Sequence, residues 1–228
     1  MRRTICFNTV LLMAESSKLA LGILASHRGT TAAALREAIA TGRVSAEIAV
    51  VISNNANASV LADARSSGTP AYWIGGSRFA DDEVRDTAIL ALLEQHRVDL
   101  ILLLGYMRLL GPKTLGHYRG RILNTHPALL PRFGGKGMFG RNVHDAVIRS
   151  GDSRTGVTIH LVDDTYDTGP IVAQCEVPVR DGDSTESLEE RVRQAEKRFL
   201  VDTIGRICSG EIRLPGLQSS SVSIDGTT

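Results

Sequence analysis

The chain has 228 residues, of which 43% are hydrophobic and 22% charged, the composition of a globular protein long enough for a sizeable core. Its formal net charge is +1, so charge gives no reason to expect a nucleic acid or a membrane as partner.

Residues 1–18 are predicted to be an extension ahead of the folded domain. Two arginines precede the apolar stretch TICFNTVLLMA (4–14), which bears a faint likeness to a signal peptide. Asn8 interrupts that stretch, and Glu15 and Lys18 follow closely, which argues against a secretion signal. An extra strand or a loose extension is the preferred interpretation.

The first half of the chain alternates short apolar runs with helical patterns. The predicted strands cover 19–26, 46–53, 69–75, 99–105 and 121–126. The predicted helices cover 30–42, 58–68 and 81–98, with a short helical turn near 111–118. Strands that alternate with helices are typical of βαβ units, so we predict an α/β fold with a Rossmann-like, mostly parallel sheet flanked by helices.

The pattern changes beyond residue 140. Two strands, 156–162 and 169–179, are joined by an acidic loop, and we expect an antiparallel strand region there. A long helix is predicted over 184–210, with Ser184 in the capping position. One domain over 19–210 is expected, followed by a polar tail over 211–228 that is predicted to be disordered because apolar periodicity is absent from about Gln218.

The three cysteines, Cys6, Cys175 and Cys208, are isolated from one another. Their spacing indicates neither a metal site nor a disulfide framework. A reduced, cytoplasmic protein without a bound metal is the natural expectation.

The turn between the first strand and the first helix, ASHRGTTAAAL (25–35), combines a glycine, hydroxyls and an arginine. Backbone amides at a helix start bind anions, and the guanidinium of Arg28 suits a phosphate. The glycine spacing of the dinucleotide fingerprint and of the Walker loop is absent. A plain turn with an N-cap is the alternative interpretation.

Asn124 and His126 lie two residues apart at the end of a predicted strand, so both side chains share one face. Asp167 follows another strand, in the loop DDTYDTGP (163–170). An amide and an imidazolium kept charged by a carboxylate can stabilise a developing oxyanion. Each is also explained as an ordinary turn or strand-end residue. For His160, a core or hydrogen-bonding role is favoured over a catalytic one.

Three motifs, NTHPALLP (124–131), DDTYDTGP (163–170) and GYMRLL (105–110), make the chain resemble the glycinamide ribonucleotide formyltransferases of purine synthesis. The resemblance covers residues 19–206. It implies 10-formyltetrahydrofolate as co-substrate, small-molecule substrates only, no metal, and a monomer or homodimer. It implies that the catalytic residues are Asn124, His126 and Asp167. The residues it implies for folate binding are Tyr106, Met107, Arg108, Leu109, Leu110, Val162, Asp163 and Asp164. Those it implies for the phosphate and ribose of the amine substrate are Arg28, Gly29, Thr30, Thr31, Arg193 and Glu196.

Two stretches depart from the family pattern. His27 stands where family members commonly have Gly, and Thr31 where they have Asn. The loop GGKGMFGRNVH (134–144) is longer than in many relatives. These differences leave open whether the acceptor is glycinamide ribonucleotide or a different amine.

Several related activities are alternatives. A formyltetrahydrofolate deformylase is expected to carry a regulatory domain ahead of the first βα unit, and a methionyl-tRNA formyltransferase a basic C-terminal domain. A sugar-amine formyltransferase usually departs from THPALLP. A nicotinamide-dependent oxidoreductase needs the missing glycine fingerprint. A non-catalytic binding protein with this fold is the remaining alternative.

Overall fold

A seven-stranded sheet in the order β3-β2-β1-β4-β5-β6-β7 forms the centre of the protein in a computed structural model, which describes residues 18–217. Residues 1–17 of the predicted extension and 218–228 of the predicted tail lie outside this range. The strands are β1 (Leu19–Leu24), β2 (Ala46–Ser53), β3 (Ala71–Trp73), β4 (Leu100–Leu103), β5 (Ile122–His126), β6 (Arg154–Leu161) and β7 (Ile171–Pro178). The helices are α1 (Thr30–Ala40), α2 (Ser59–Ser66), α3 (Asp82–Gln95), α4 (Pro112–His117), α5 (Arg141–Ser150) and α6 (Thr185–Cys208), with a 3-10 turn at Ser77–Phe79.

The predicted α/β fold is confirmed. Strands β1 to β5 run parallel to their neighbours, whereas β6 is antiparallel to β5 and β7 is antiparallel to β6. The chain leaves β1 in one direction, through β2 and β3, and returns to β4 on the other side of β1. In open α/β sheets such a reversal of strand order creates a crevice at the carboxyl ends of the strands.

The central strands are buried on both faces because helices cover each side of the sheet. Leu21 and Ile23 of β1 pack on the face covered by α1 and α6, and Leu24 packs on the face covered by α3. Gly22 lies so close to α3 that an added Cβ would be 2.8 Å from Leu93 Cδ2. Helix α3 therefore packs tightly against β1 at this position.

The long helix α6 begins as predicted, with Ser184 Oγ accepting from the N–H of Ser187 at 3.3 Å. Its first half packs Leu188 and Val192 over β6 and β7, and its second half packs Leu200 and Ile204 against α1. The helix thus runs along one face of the sheet, and Glu196 near its middle accepts a hydrogen bond from Thr125 of β5.

Two expectations need correction. The predicted helices do not include α5, which begins inside the stretch interpreted as a long loop. Val143 and Val147 are both buried at helical spacing, and Gly151 ends the helix with φ of +70°. The prediction of a disordered tail from residue 211 is wrong for 211–217, because Leu214 is 5% exposed and packs into the core.

Among the helices within residues 18–217, none combines the length and apolar composition needed to cross a membrane.

Candidate active site

Asn124, His126 and Asp167 lie together at the carboxyl end of β5. Asn124 Nδ2 is 3.5 Å from Asp167 Oδ1, and His126 Nδ1 is 3.5 Å from Asp167 Oδ2. Asn124 and His126 share one face of β5, and the loop after the antiparallel strand β6 brings Asp167 back to them. The predicted meeting of the three side chains is thus present in the structure.

Asp167 is held in a left-handed backbone conformation with φ of +57°, which Asp tolerates better than most residues. Its Oδ2 accepts from the N–H of Gly135 at 2.9 Å. Burial pushes the pKa of Asp167 upward, but the neighbouring His160, the hydrogen bond from the Gly135 N–H and the nearby His126 outweigh it and leave the pKa below its ordinary value. The carboxylate is therefore ionised at neutral pH.

The ring of His126 is 3% exposed, and its Nε2 donates to Phe133 O at 2.7 Å. Burial lowers the pKa of His126 below its usual value, although Asp167 and the carbonyl of Phe133 act in the opposite direction. The expectation that Asp167 keeps this imidazole charged is therefore corrected. The neutral ring carries its proton on Nε2 and turns the lone pair of Nδ1 toward Asp167.

His160 fixes the orientation of Asn124. The two residues face each other across the β5–β6 pair, and His160 Nδ1 donates to Leu161 O at 2.9 Å. With Nδ1 as the donor, Nε2 accepts from the amide Nδ2 of Asn124 at 3.1 Å. The hydrogen-bonding role expected for His160 fits this geometry, but its link to Asn124 depends on the antiparallel register, which the sequence does not specify.

The loop that follows β5 is tied to β6 and β7 by residues that the sequence did not single out. Thr158 Oγ1 donates to Ala128 O at 2.7 Å and accepts from the Leu130 N–H at 3.1 Å. Gln174 Nε2 donates to Leu130 O at 3.0 Å. These bonds hold the strand end, and with it His126, in place.

A cavity of about 510 Å³ opens in front of the three side chains. The glycine-rich loop after β5 forms one wall, and α6 forms another through Val192, Arg193 and Glu196. His144 of α5 also lines this cavity. It is large enough for the reacting ends of two small molecules.

A second cavity, of about 600 Å³, lies at the start of α1 and contains the predicted phosphate-binding residues Arg28, Gly29, Thr30 and Thr31. Gly29 is the N-cap of α1 with φ of +63°, and no side chain caps the first turn. The amide groups of that turn are thus available to an anion. Gly105, Arg193 and Glu196 line this cavity as well as the first, so the two spaces adjoin.

Glu196 sits between the two cavities. Its Oε1 accepts from Thr125 Oγ1 at 2.7 Å and from Thr31 Oγ1 at 3.4 Å. Burial raises the pKa of Glu196, and the two threonine hydroxyls partly offset that rise. Thr31, which is 6% exposed, therefore orients Glu196 as well as lining the second cavity. Arg193 forms ion pairs with Glu189 and Glu190 along α6.

Some of the residues predicted for folate binding are exposed and line a cavity, whereas others are buried or lie outside the cavities. Met107 and Leu109 are 42% and 47% exposed, and together with Arg108 and Leu110 they line a third cavity of about 630 Å³. Met107 and Tyr166 also border the first cavity. The main-chain N–H of Met107 is already used, because it donates to Ser26 Oγ at 2.8 Å.

Tyr106 lines the first cavity, whereas three other predicted folate residues do not. Tyr106 is buried, and its hydroxyl has no hydrogen-bond partner among the described residues. Val162 packs against the core, and Asp163 accepts from Thr168 Oγ1 at 2.9 Å. Val162, Asp163 and Asp164 line none of the three cavities.

Comparison with known proteins agrees with this arrangement. A formyl transferase family model matches residues 19–204. A phosphoribosylglycinamide formyltransferase of Mycobacterium tuberculosis is 38% identical over 90% of this chain and 93% of its own length. The crystal structure of the phosphoribosylglycinamide formyltransferase of Bacillus halodurans superposes with a TM-score of 0.79 at 33% identity, covering 87% of this chain and all of that one.

Some relatives are longer than the matched region. The chloroplastic phosphoribosylglycinamide formyltransferase of Arabidopsis thaliana is 35% identical over 87% of this chain, which spans 68% of that protein. The chain spans 62% of a Vigna unguiculata relative and 19% of a trifunctional purine biosynthetic protein of Gallus gallus. Since the family model covers nearly all the described residues, the chain belongs to the formyl transferase family.

Proposed function

We propose that this protein transfers the formyl group of 10-formyltetrahydrofolate to the primary amine of glycinamide ribonucleotide. The observation that carries the proposal is the convergence of Asn124, His126 and Asp167 on one cavity, with the uncapped start of α1 in the adjoining cavity. The three side chains suit acyl transfer, and the uncapped start of α1 suits a substrate that bears a phosphate.

The proposed reaction is attack of a neutral amine nitrogen on the formyl carbon, which forms a C–N bond and a tetrahedral oxyanion. One N–H of Asn124 is held by His160, and the other makes only the long 3.5 Å contact with Asp167. That second N–H is only weakly engaged and is therefore available to the oxyanion. Loss of one such donor typically costs about 2.7–4 kcal/mol of barrier.

Asp167 and His126 are proposed to handle the proton. The attacking nitrogen loses a proton as the new bond forms, and the leaving nitrogen of the folate gains one as the old bond breaks. Asp167, ionised and in contact with His126 Nδ1, accepts that proton directly or through water and passes it on. A proton shared with Nδ1 makes the His126 ring cationic during the reaction, and its positive charge then stabilises the oxyanion.

The acceptor is proposed to lie along α6. The backbone amides at the start of α1 and the side chain of Arg28 bind its phosphate. The carboxylate of Glu196 accepts hydrogen bonds from its ribose hydroxyls, with Arg193 alongside. This placement directs the amine end into the first cavity, toward Asn124. The exposed side chains of Met107, Leu109 and Tyr166 offer an apolar surface for the flat ring system of the formyl donor.

Purified protein should release tetrahydrofolate from 10-formyltetrahydrofolate when glycinamide ribonucleotide is present. Two control reactions are needed: one without an amine and one with the dephosphorylated glycinamide riboside. Formyl transfer restricted to the phosphorylated amine supports the proposal. Release that is equally fast without an amine indicates a hydrolase, and equal use of the riboside contradicts the phosphate assignment. A cytoplasmic location and a monomeric or dimeric state stay predictions.

A further inference from the structure

His144 is buried in the wall of the first cavity, and its ring is not explained by the fold. It lies in the first turn of α5 and is 3% exposed. Its Nδ1 is fully enclosed and has no hydrogen-bond partner among residues 18–217. By contrast, the two other histidines at the site, His126 and His160, both bond to backbone carbonyls. Buried polar groups are rarely left unpaired, so such a group at a ligand cavity indicates a functional role.

The unpaired atom determines the state of the ring. A buried N–H without a partner is rarer and costlier than an unused lone pair, so the proton belongs on Nε2 and the lone pair on Nδ1. Burial lowers the pKa of His144 although Glu189 of α6 and Asp145 of α5 act in the opposite direction, and His126 adds to the lowering. The ring is therefore neutral near pH 7. Of its two nitrogens, Nε2 is the one that is not enclosed, and it is left to donate into the cavity.

The position of His144 indicates which substrate receives this hydrogen bond. Glu189 and Arg193, which share the cavity wall with His144, also line the cavity at the start of α1. His144 does not line the third cavity, which contains Arg108, Leu109 and Leu110. The ring thus lies on the side of the amine substrate. A neutral donor suits a neutral carbonyl oxygen better than a phosphate, which attracts the cationic groups of this site.

We propose that His144 is a specificity residue whose Nε2–H donates to the amide carbonyl oxygen of the amine substrate, between its ribose and its amine. This inference rests on the proposed function. It adds a determinant that selects an α-amino amide, whereas Arg28 and the start of α1 would select the phosphate. Because the donor is neutral, its contribution should not vary with pH above about 7.

The test compares His144→Gln with His144→Asn. The amide nitrogen of Gln reaches approximately the position of Nε2, whereas that of Asn reaches the position of Nδ1, where residues 18–217 offer no hydrogen-bond partner. We expect His144→Asn to raise the KM for glycinamide ribonucleotide about tenfold or more, with the KM for 10-formyltetrahydrofolate unchanged, and His144→Gln to restore most of the affinity. Two results overturn the inference: both variants equally impaired, or a loss confined to kcat, which identifies His144 as a base.

The wild-type protein provides a second measurement that needs no variant. Nitrogen NMR of the His144 ring should show a protonated Nε2 and an unprotonated Nδ1, and the Nε2–H signal should shift when glycinamide ribonucleotide is added. A signal that moves only with the folate, or a ring protonated on Nδ1, contradicts the proposal. Wild-type turnover of glycinamide ribonucleotide is measured first, so that failure of the proposed function is distinguished from failure of the role of His144.

Discussion

The amide of Asn124 donates to Nε2 of His160 at 3.1 Å, across the antiparallel pair formed by β5 and β6. His160 in turn is oriented by the bond from its Nδ1 to Leu161 O. A proposed oxyanion donor is therefore held by a side chain on the neighbouring strand, and that side chain is held by its own backbone. The order of these contacts makes His160 a positioning residue.

Replacement of His160 by Ala should lower kcat more than it changes either KM, because Asn124 loses the contact that fixes its amide. Loss of a buried hydrogen bond costs about 1–3 kcal/mol, which corresponds to a roughly 5- to 150-fold decrease in rate. His160→Asn, which retains a polar group on β6, should recover part of the rate. An unchanged kcat in the Ala variant, with an unchanged melting curve, argues against the positioning role.

Gly29→Ala should destabilise the protein and weaken binding of the phosphorylated amine. Gly29 has φ of +63°, and an added Cβ would lie 2.3 Å from Val60 Cγ2. Strained backbone alone costs about 1–3 kcal/mol, and the clash also forces the start of α1 to move. The matched control is Gly42→Ala, where φ is +74° but nothing lies within 4 Å of the added Cβ. Gly29→Ala should lower the free energy of unfolding in urea and raise the KM for the amine substrate more than Gly42→Ala does. Equal effects of the two substitutions contradict the role of the α1 start.

Arg28→Ala should raise the KM for glycinamide ribonucleotide much more than the KM for 10-formyltetrahydrofolate. Arg28 lines the cavity at the start of α1, where a guanidinium suits a phosphate in charge and geometry. Arg149→Ala, on the exposed surface of α5, is the control for loss of one positive charge. The KM difference should shrink in high salt, because salt screens the contact. An Arg28 variant that behaves like the Arg149 variant shows that Arg28 does not meet the phosphate.

The contribution of His126 and His144 to the free energy of unfolding should fall as the pH drops below about 6.5, whereas Glu196, whose pKa is raised, contributes with the opposite sign. Burial lowers the pKa of both His126 and His144 in the folded protein, so the unfolded chain takes up protons that the folded protein does not. Their contribution to stability is complete above about pH 6.5 and is lost progressively below it, until the folded groups titrate. Urea unfolding from about pH 7.5 to about pH 5.5 measures the slope. His144→Gln should lose less stability on acidification than the wild-type protein, and an identical pH dependence in that variant contradicts the assignment.

Much of this arrangement can be predicted from the residues themselves. Apolar runs of the right length specify β1, β2 and β4, and the polar pair Asn124 and His126 indicates the end of a strand because side chains two apart share a face. Helix α5 escapes prediction since the glycines before it are typical of loops, and only Val143 and Val147 indicate the helical spacing.

Contacts that depend on how the strands align in three dimensions cannot be predicted from the sequence pattern. The bond between Asn124 and His160 requires the alignment of β6 on β5, and the lowered pKa of His126 depends on how deeply its ring is buried. The use of the Met107 N–H by Ser26 follows from the neighbouring positions of β1 and β4. The packing of Leu214 in the core likewise has no counterpart in the local composition.

The most direct test of the account is the rate of formyl transfer from 10-formyltetrahydrofolate to glycinamide ribonucleotide by the wild-type protein and by Asn124→Ala. The wild-type protein should form the formylated ribonucleotide, and the variant should lose about 10²–10³ in kcat, with an unchanged melting curve, because one donor to the oxyanion is removed. A wild-type protein that forms no formylated amine, or a folded variant with wild-type kcat, contradicts the account.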